Sequence, residues 1–186
     1  MMTYQDVYTE EFISKLNKLN SGSDGIVPNT EIKDGSIDVE NMLSSLGFIV
    51  SKASLSNGSG QIHGREIVVD ENENNNRQRF TLAHELGHAY RNERIANRYD
   101  DSTVYSEEDR QSEIFANAFA AQLLMPKPLV VSNVLEIISE KKLNKKRIST
   151  QERDQVITKT AEKMKVSEQA MTYRIENLKV FVPSGE

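Results

Sequence analysis

Apolar and polar positions divide the chain into short elements. From Tyr4 to Leu19 the apolar residues fall at helical spacing, with Phe12, Leu16 and Leu19 on one side and Lys and Glu on the other. Ser21-Gly22-Ser23-Asp24-Gly25 breaks this helix, and Pro28 follows. A second helix is predicted from Ser36 to Leu46, with Ser36 as N-cap and Gly47 as the stop. Phe48 to Ala53 reads as a strand and Ser54 to Gly60 as a turn-rich loop. Ile62 to Asp70 reads as a second strand around Ile67, Val68 and Val69. The polar run Glu71 to Asn76 leads into a helix from Arg77 to Arg91. Asn92 to Glu108 reads as a long loop, and helical character returns from Asp109 to Met125. Pro126 and Pro128 end that helix or begin the next, Leu129 to Ser139. Gln151 to Lys165 and Ser167 to Leu178 form a last helical pair with a short turn at Val166. The pattern predicts a mostly helical α+β fold, with a small antiparallel sheet preceding the helix at Arg77. A core over residues 1–140, including N-terminal helices within 4–46, carries a helical segment over 141–186 packed on it as one domain.

Composition narrows the class. At 186 residues, 37% apolar and 27% charged, the chain fits one soluble domain with a sizeable core. It has no cysteine, which excludes disulfides and thiolate metal sites. The N-terminus, MMTYQDVYTEEF, lacks the basic and apolar regions of a signal peptide. No apolar run approaches the roughly 18 residues a membrane helix needs; the longest, Ile114 to Met125, is interrupted by Asn117 and Gln122. A cytoplasmic protein is expected. The net charge of −5 argues against a general nucleic-acid binder, yet Lys141 to Lys179 holds eleven Lys and Arg against five Asp and Glu, leaving −11 on the remainder. A solvated helical face explains this asymmetry, and so does a phosphate-facing surface.

The chemistry concentrates in Thr81-Leu82-Ala83-His84-Glu85-Leu86-Gly87-His88, which contains H-E-x-x-H. Residues four apart on a helix lie on one face, so two imidazoles there can bind one Zn2+. Glu85, one step round from His84, can stay off the metal and act as a general base toward water. Two of the chain's three histidines fall in this motif. Phe80, Ala83 and Gly87 make one side apolar or small, and Gly87, costly in a helix by about 1 kcal/mol against Ala, suggests a close neighbour. His63, in a Gly-rich turn, reads as ordinary surface.

A catalytic zinc needs a third protein ligand and an open position. No histidine follows His88, so the ligand is an acidic residue among Glu93, Asp100, Asp101, Glu107, Glu108, Asp109 and Glu113. Glu113 is followed at helical spacing by Ala116, Asn117 and Ala120, a narrow face that would let its helix approach the motif helix. A first-turn carboxylate favoured by the helix dipole accounts for Glu113 equally well on spacing alone. Asn117, one turn on, is placed to accept a hydrogen bond from a ligating imidazole. Tyr90, Tyr173 and Arg174 are candidates to stabilise an oxyanion.

Arg79-Phe80-Thr81-Leu82-Ala83-His84-Glu85-Leu86-Gly87-His88 and Glu113-x-x-Ala116-Asn117-x-Phe119-Ala120-Ala121-x-Leu123-Leu124-Met125-Pro126 resemble the ImmA/IrrE family of metallopeptidases. Val166-Ser167-x-x-Ala170-Met171-x-x-Arg174-Ile175 resembles its helix-turn-helix-like segment, and the likeness spans roughly Ile62 to Leu178. It implies a compact gluzincin-like fold and Zn2+ held by His84, His88 and Glu113. It also implies an endopeptidase whose substrate is a DNA-binding repressor of the helix-turn-helix type. The first 60 residues match no motif of the family.

Two other classes remain open. Gln151–Lys165 and Ser167–Leu178 have helix-turn-helix form, with Gln169, Thr172, Tyr173 and Arg174 as possible DNA contacts; Ala170, Met171, Ile175 and Leu178 could instead pack that helix on the core. A structural zinc site in an interaction module is the other, although a closed site has no use for Glu85.

Overall fold

The computed structural model describes residues 1–91, 107–145 and 147–181. Among them run helices α1 (Tyr4–Val7), α2 (Glu10–Asn17) and α3 (Val39–Ser45), then strands β1 (Ile49–Ala53), β2 (Gly60–His63) and β3 (Glu66–Asp70). Helices α4 (Asn75–Tyr90), α5 (Glu107–Leu124), α6 (Lys127–Glu140), α7 (Thr150–Met164) and α8 (Glu168–Asn177) follow. The fold is α+β and mostly helical. The loop expected over Asn92–Glu108 lies outside the described residues, except that Glu107 and Glu108 already belong to α5.

Three local expectations are corrected. The helix expected over Tyr4–Leu19 is two helices. Tyr8 is extended (φ −120°, ψ 149°), and its hydroxyl donates to the Leu123 carbonyl at 2.6 Å. Thr9 then caps α2 by accepting from the Phe12 amide. Ser36 does not cap the next helix; Asp38 does, accepting from the Asn41 amide at 3.0 Å. Ser36 is extended (φ −128°, ψ 147°), and after it Ile37 enters the core while its carbonyl accepts from Arg79 Nη2 at 2.6 Å. The strand expected over Ile62–Asp70 is a hairpin, β2 and β3, turning through Gly64 at φ +61°, a conformation glycine adopts without strain.

The sheet is mixed rather than purely antiparallel. Its order is β1-β3-β2, with β2 antiparallel to β3 and β1 parallel to it. The hairpin puts β3 in the middle, where Ile67 and Val69 are buried under α4. Gly60 of β2 lies so close to α4 that a Cβ there would fall 2.2 Å from Thr81 Cγ2.

One hydrophobic cluster runs through the molecule. It joins Leu16, Met42 and Leu46 to Leu82 and Leu86 of α4, to Leu123 and Leu124 of α5, and to Val156, Met164, Met171 and Ile175 of the last pair. Polar ties fix the start of α4. Asn74 caps it through the Arg77 amide, Gln78 Nε2 donates to the Asp70 and Glu73 carbonyls, and Lys52 Nζ donates to Gln78 Oε1 at 2.8 Å. Asn76 Nδ2 and Arg79 Nε donate to the carbonyls of Val166 and Lys165, in the turn between α7 and α8.

Candidate metal centre

The site begins with how near α4 and α5 come. Gly87 has no side chain where α5 passes: a Cβ there would lie 3.1 Å from the Ala116 Cα and 3.1 Å from Phe119 Cδ1. The close neighbour expected from Gly87 is therefore α5, meeting it with the small face of Ala116. Glu113, one turn before Ala116, reaches across to both histidines. Its Oε2 is 3.3 Å from His84 Nε2 and its Oε1 3.4 Å from His88 Nε2. The two Nε2 atoms are 3.1 Å apart.

These separations test whether the side chains suit an ion. Donors bound tetrahedrally at about 2.0–2.1 Å are separated from one another by about 3.3–3.4 Å. Each imidazole Nε2 has one Glu113 oxygen at such a distance, Oε2 for His84 and Oε1 for His88, the two Nε2 atoms are slightly closer, and one donor atom from each residue lies within 4.8 Å of the others. The ring orientations fit too. His84 Nδ1 lies 3.2 Å from Asn117 Oδ1. An amide oxygen only accepts, so this contact favours the tautomer with its proton on Nδ1, which turns the Nε2 lone pair toward the cluster. His88 Nδ1 has Ser112 Oγ at 3.1 Å. The imidazoles are 15% and 10% exposed and the Glu113 carboxylate 29%, so the cluster is sunk but open on one side. Two nitrogens and one carboxylate are a donor set that suits Zn2+ or another divalent transition ion.

Glu85 is buried, and a Cβ built on Gly60 would lie 3.7 Å from its Oε1. The carboxylate thus sits between the cluster's helix and β2. Of the other acidic candidates, Glu107, Glu108 and Asp109 are exposed in the first turn of α5; Glu93, Asp100 and Asp101 lie outside the described residues.

The described contacts of the three oxyanion candidates lie with other groups. The Tyr90 ring packs against Phe12, Phe115 and Phe119, its centroid 4.8 Å from the last, with Lys15 over it. Burial, then the charge of Glu11, raises its phenol pKa. Tyr173 is 60% exposed on α8. Arg174 Nε donates to the Met125 carbonyl at 2.8 Å, and burial lowers its guanidinium pKa. His63 is exposed, with Nε2 3.2 Å from Gln61 Oε1, as a surface residue would be.

Sequence reasoning missed Ser112 and Gly60. Ser112 carries no spacing signal, being only the residue before Glu113. Gly60 looks like a loop glycine until β2 is seen to lie on α4.

Among the described residues no single helix is long and apolar enough to cross a membrane. The model of the IrrE N-terminal-like domain, peptidase M78, matches residues 46–176. No curated protein matches the chain. The matched span takes in the sheet, both helices of the metal cluster and the last helical pair, and it leaves out α1 to α3. With that match over more than half its length, and with His84, His88 and Glu113 gathered on the matched helices, the chain belongs to the IrrE N-terminal-like family of metallopeptidases.

Proposed function

We propose that this protein is a zinc-dependent endopeptidase with Glu85 as its general base, and that it makes a site-specific cut in a DNA-binding repressor. The observation that carries the peptidase reading is the convergence of His84, His88 and Glu113 beside a buried glutamate that is left out of the triangle. When bound, Zn2+ supplies Lewis acidity toward a peptide carbonyl and toward the attacking water. His84, His88 and Glu113 hold it. Glu85 accepts the proton of the attacking water on its carboxylate and delivers it to the departing amine, so the base is regenerated in each turnover. Among the described residues β2 pairs only with β3, so its other edge is free to align an extended peptide. Gly60, without a side chain, lets β2 lie against α4 close to Glu85.

The repressor substrate and a cytoplasmic setting rest on resemblance and sequence alone. The last helices favour docking over DNA contact. Met171 and Ile175 are buried, Arg174 is committed to Met125, and the exposed positions of α8 include Glu168 and Glu176, which repel phosphate. A purely structural zinc site leaves Glu85 without a role.

The test is incubation with the repressor encoded beside this gene, with and without chelator, for the wild type and for Glu85→Gln. Cleavage should require metal and vanish in the variant while its zinc content stays. Full activity in a zinc-loaded Glu85→Gln protein would sink the mechanism.

A further inference from the structure

We infer that Ser112 is a positioning residue of the metal centre, whose hydroxyl holds the His88 ring with its proton on Nδ1 and so turns the Nε2 lone pair to the ion. The inference rests on the metal-site reading above and deepens it.

Ser112 is 5% exposed, and its Oγ stands 3.1 Å from His88 Nδ1. It precedes Glu113, but successive residues on a helix point about 100° apart. Glu113 therefore meets the Nε2 side of the ring while Ser112 meets the Nδ1 side. The short reach of a serine suffices because Gly87 and Ala116 bring the two backbones together. With Asn117 on His84, α5 thus delivers one ligand and a hydrogen-bond clamp for each of the other two ligands.

The clamps differ in chemistry. Asn117 presents an amide oxygen, which only accepts and permits one tautomer. Ser112 presents a hydroxyl, which either donates or accepts. With Nε2 turned toward Glu113, the Ser112 hydroxyl accepts from the Nδ1–H of His88. A ring without this partner would divide its proton between the two nitrogens and swing about its bond, and both effects weaken its hold on a metal.

The experiment uses the full chain and Zn2+ as probe, reading affinity by chelator competition and the histidine tautomers by 15N resonances of the zinc-loaded protein. Ser112→Ala should lower zinc affinity by about 10–100-fold. Its His88 Nδ1–H resonance should be lost to exchange while that of His84 persists. Asn117→Ala should do the reverse. Wild-type affinity in Ser112→Ala overturns the inference, and so does equal disturbance of both rings, which would mean that α4 and α5 had merely loosened. Should Ser112→Ala fail to fold, Ser112→Thr keeps the hydroxyl and must keep the His88 Nδ1–H resonance; its loss in a folded protein overturns the inference as well. Neither readout depends on cleavage, so a failed peptidase assay leaves it standing. A wild-type protein that takes up no zinc overturns both readings.

Discussion

Gly87 on α4 and Ala116 on α5 meet with no side chain between them; a Cβ on Gly87 would sit 3.1 Å from the Ala116 Cα and 3.3 Å from Phe119 Cβ. Gly87→Ala gains about 1 kcal/mol of helix propensity. It also drives a methyl group against backbone, and overpacking of that kind costs about 1–3 kcal/mol. Backbone yields poorly, so the loss should win. Thermal unfolding should show a lower Tm, and zinc affinity should fall with it, because the spacing of Glu113 from both histidines depends on this contact. A higher Tm would mean that α5 can retreat without cost.

Gly60 sets the second close approach. Its Cβ would fall 2.2 Å from Thr81 Cγ2, so Gly60→Ala must push β2 off α4 or turn Thr81. The expected loss is about 1–3 kcal/mol. Thr81→Ser removes the offending methyl group, so the double variant Gly60→Ala/Thr81→Ser should regain part of that loss in chemical denaturation. Strict additivity of the two single changes would refute the contact.

Glu113→Ala removes the only carboxylate in the described metal cluster. Metal content after dialysis should fall sharply while the circular dichroism of the helices stays. Unchanged zinc in this variant would move the third ligand to another residue, with those in the undescribed stretch after Arg91 the first to examine.

Alkaline pH should unfold the protein through its N-terminal tyrosines. Burial, then the charge of Asp38, pushes the Tyr4 phenol up from 10.0 to about 12. Burial, then Tyr4, raises Tyr8 as well. In the unfolded chain such phenols ionise near pH 10, at about their ordinary value. The folded form keeps the protons longer, so this share of stability is whole below about pH 10 and is lost as pH rises toward about 12. Tyr4→Phe should flatten the fall of Tm over that window. An identical slope in the two proteins would exclude Tyr4 as a cause.

The histidine pair of the candidate metal cluster was the readable part because it depends on local geometry. A helix places residues four apart on one face whatever surrounds it, so His84 and His88 could be paired from spacing. The small residues after Glu113, Ala116 above all, left it level with a plain first-turn carboxylate until the family resemblance decided between them, and the close approach they implied is present. What stayed hidden depends on partners distant in the chain. Nothing near Ser36 tells that Arg79 needs the Ile37 carbonyl and so delays α3. The parallel pairing of β1 with β3 depends on a hairpin that Gly64 marks only once the turn is known. Thr9, by contrast, is a legible cap inside a pattern whose apolar spacing concealed it. Ser112 gave no signal, since a lone serine acquires meaning only when His88 is set opposite it.

Asn76 and Arg79, in the first turns of α4, donate to the carbonyls of Val166 and Lys165 in the turn between α7 and α8. Grafting the last helical pair from one relative onto another therefore exchanges two struts of the helix that bears His84, Glu85 and His88. A chimera made to transfer partner choice would transfer part of the site's rigidity along with it, and its two halves would have to be selected together.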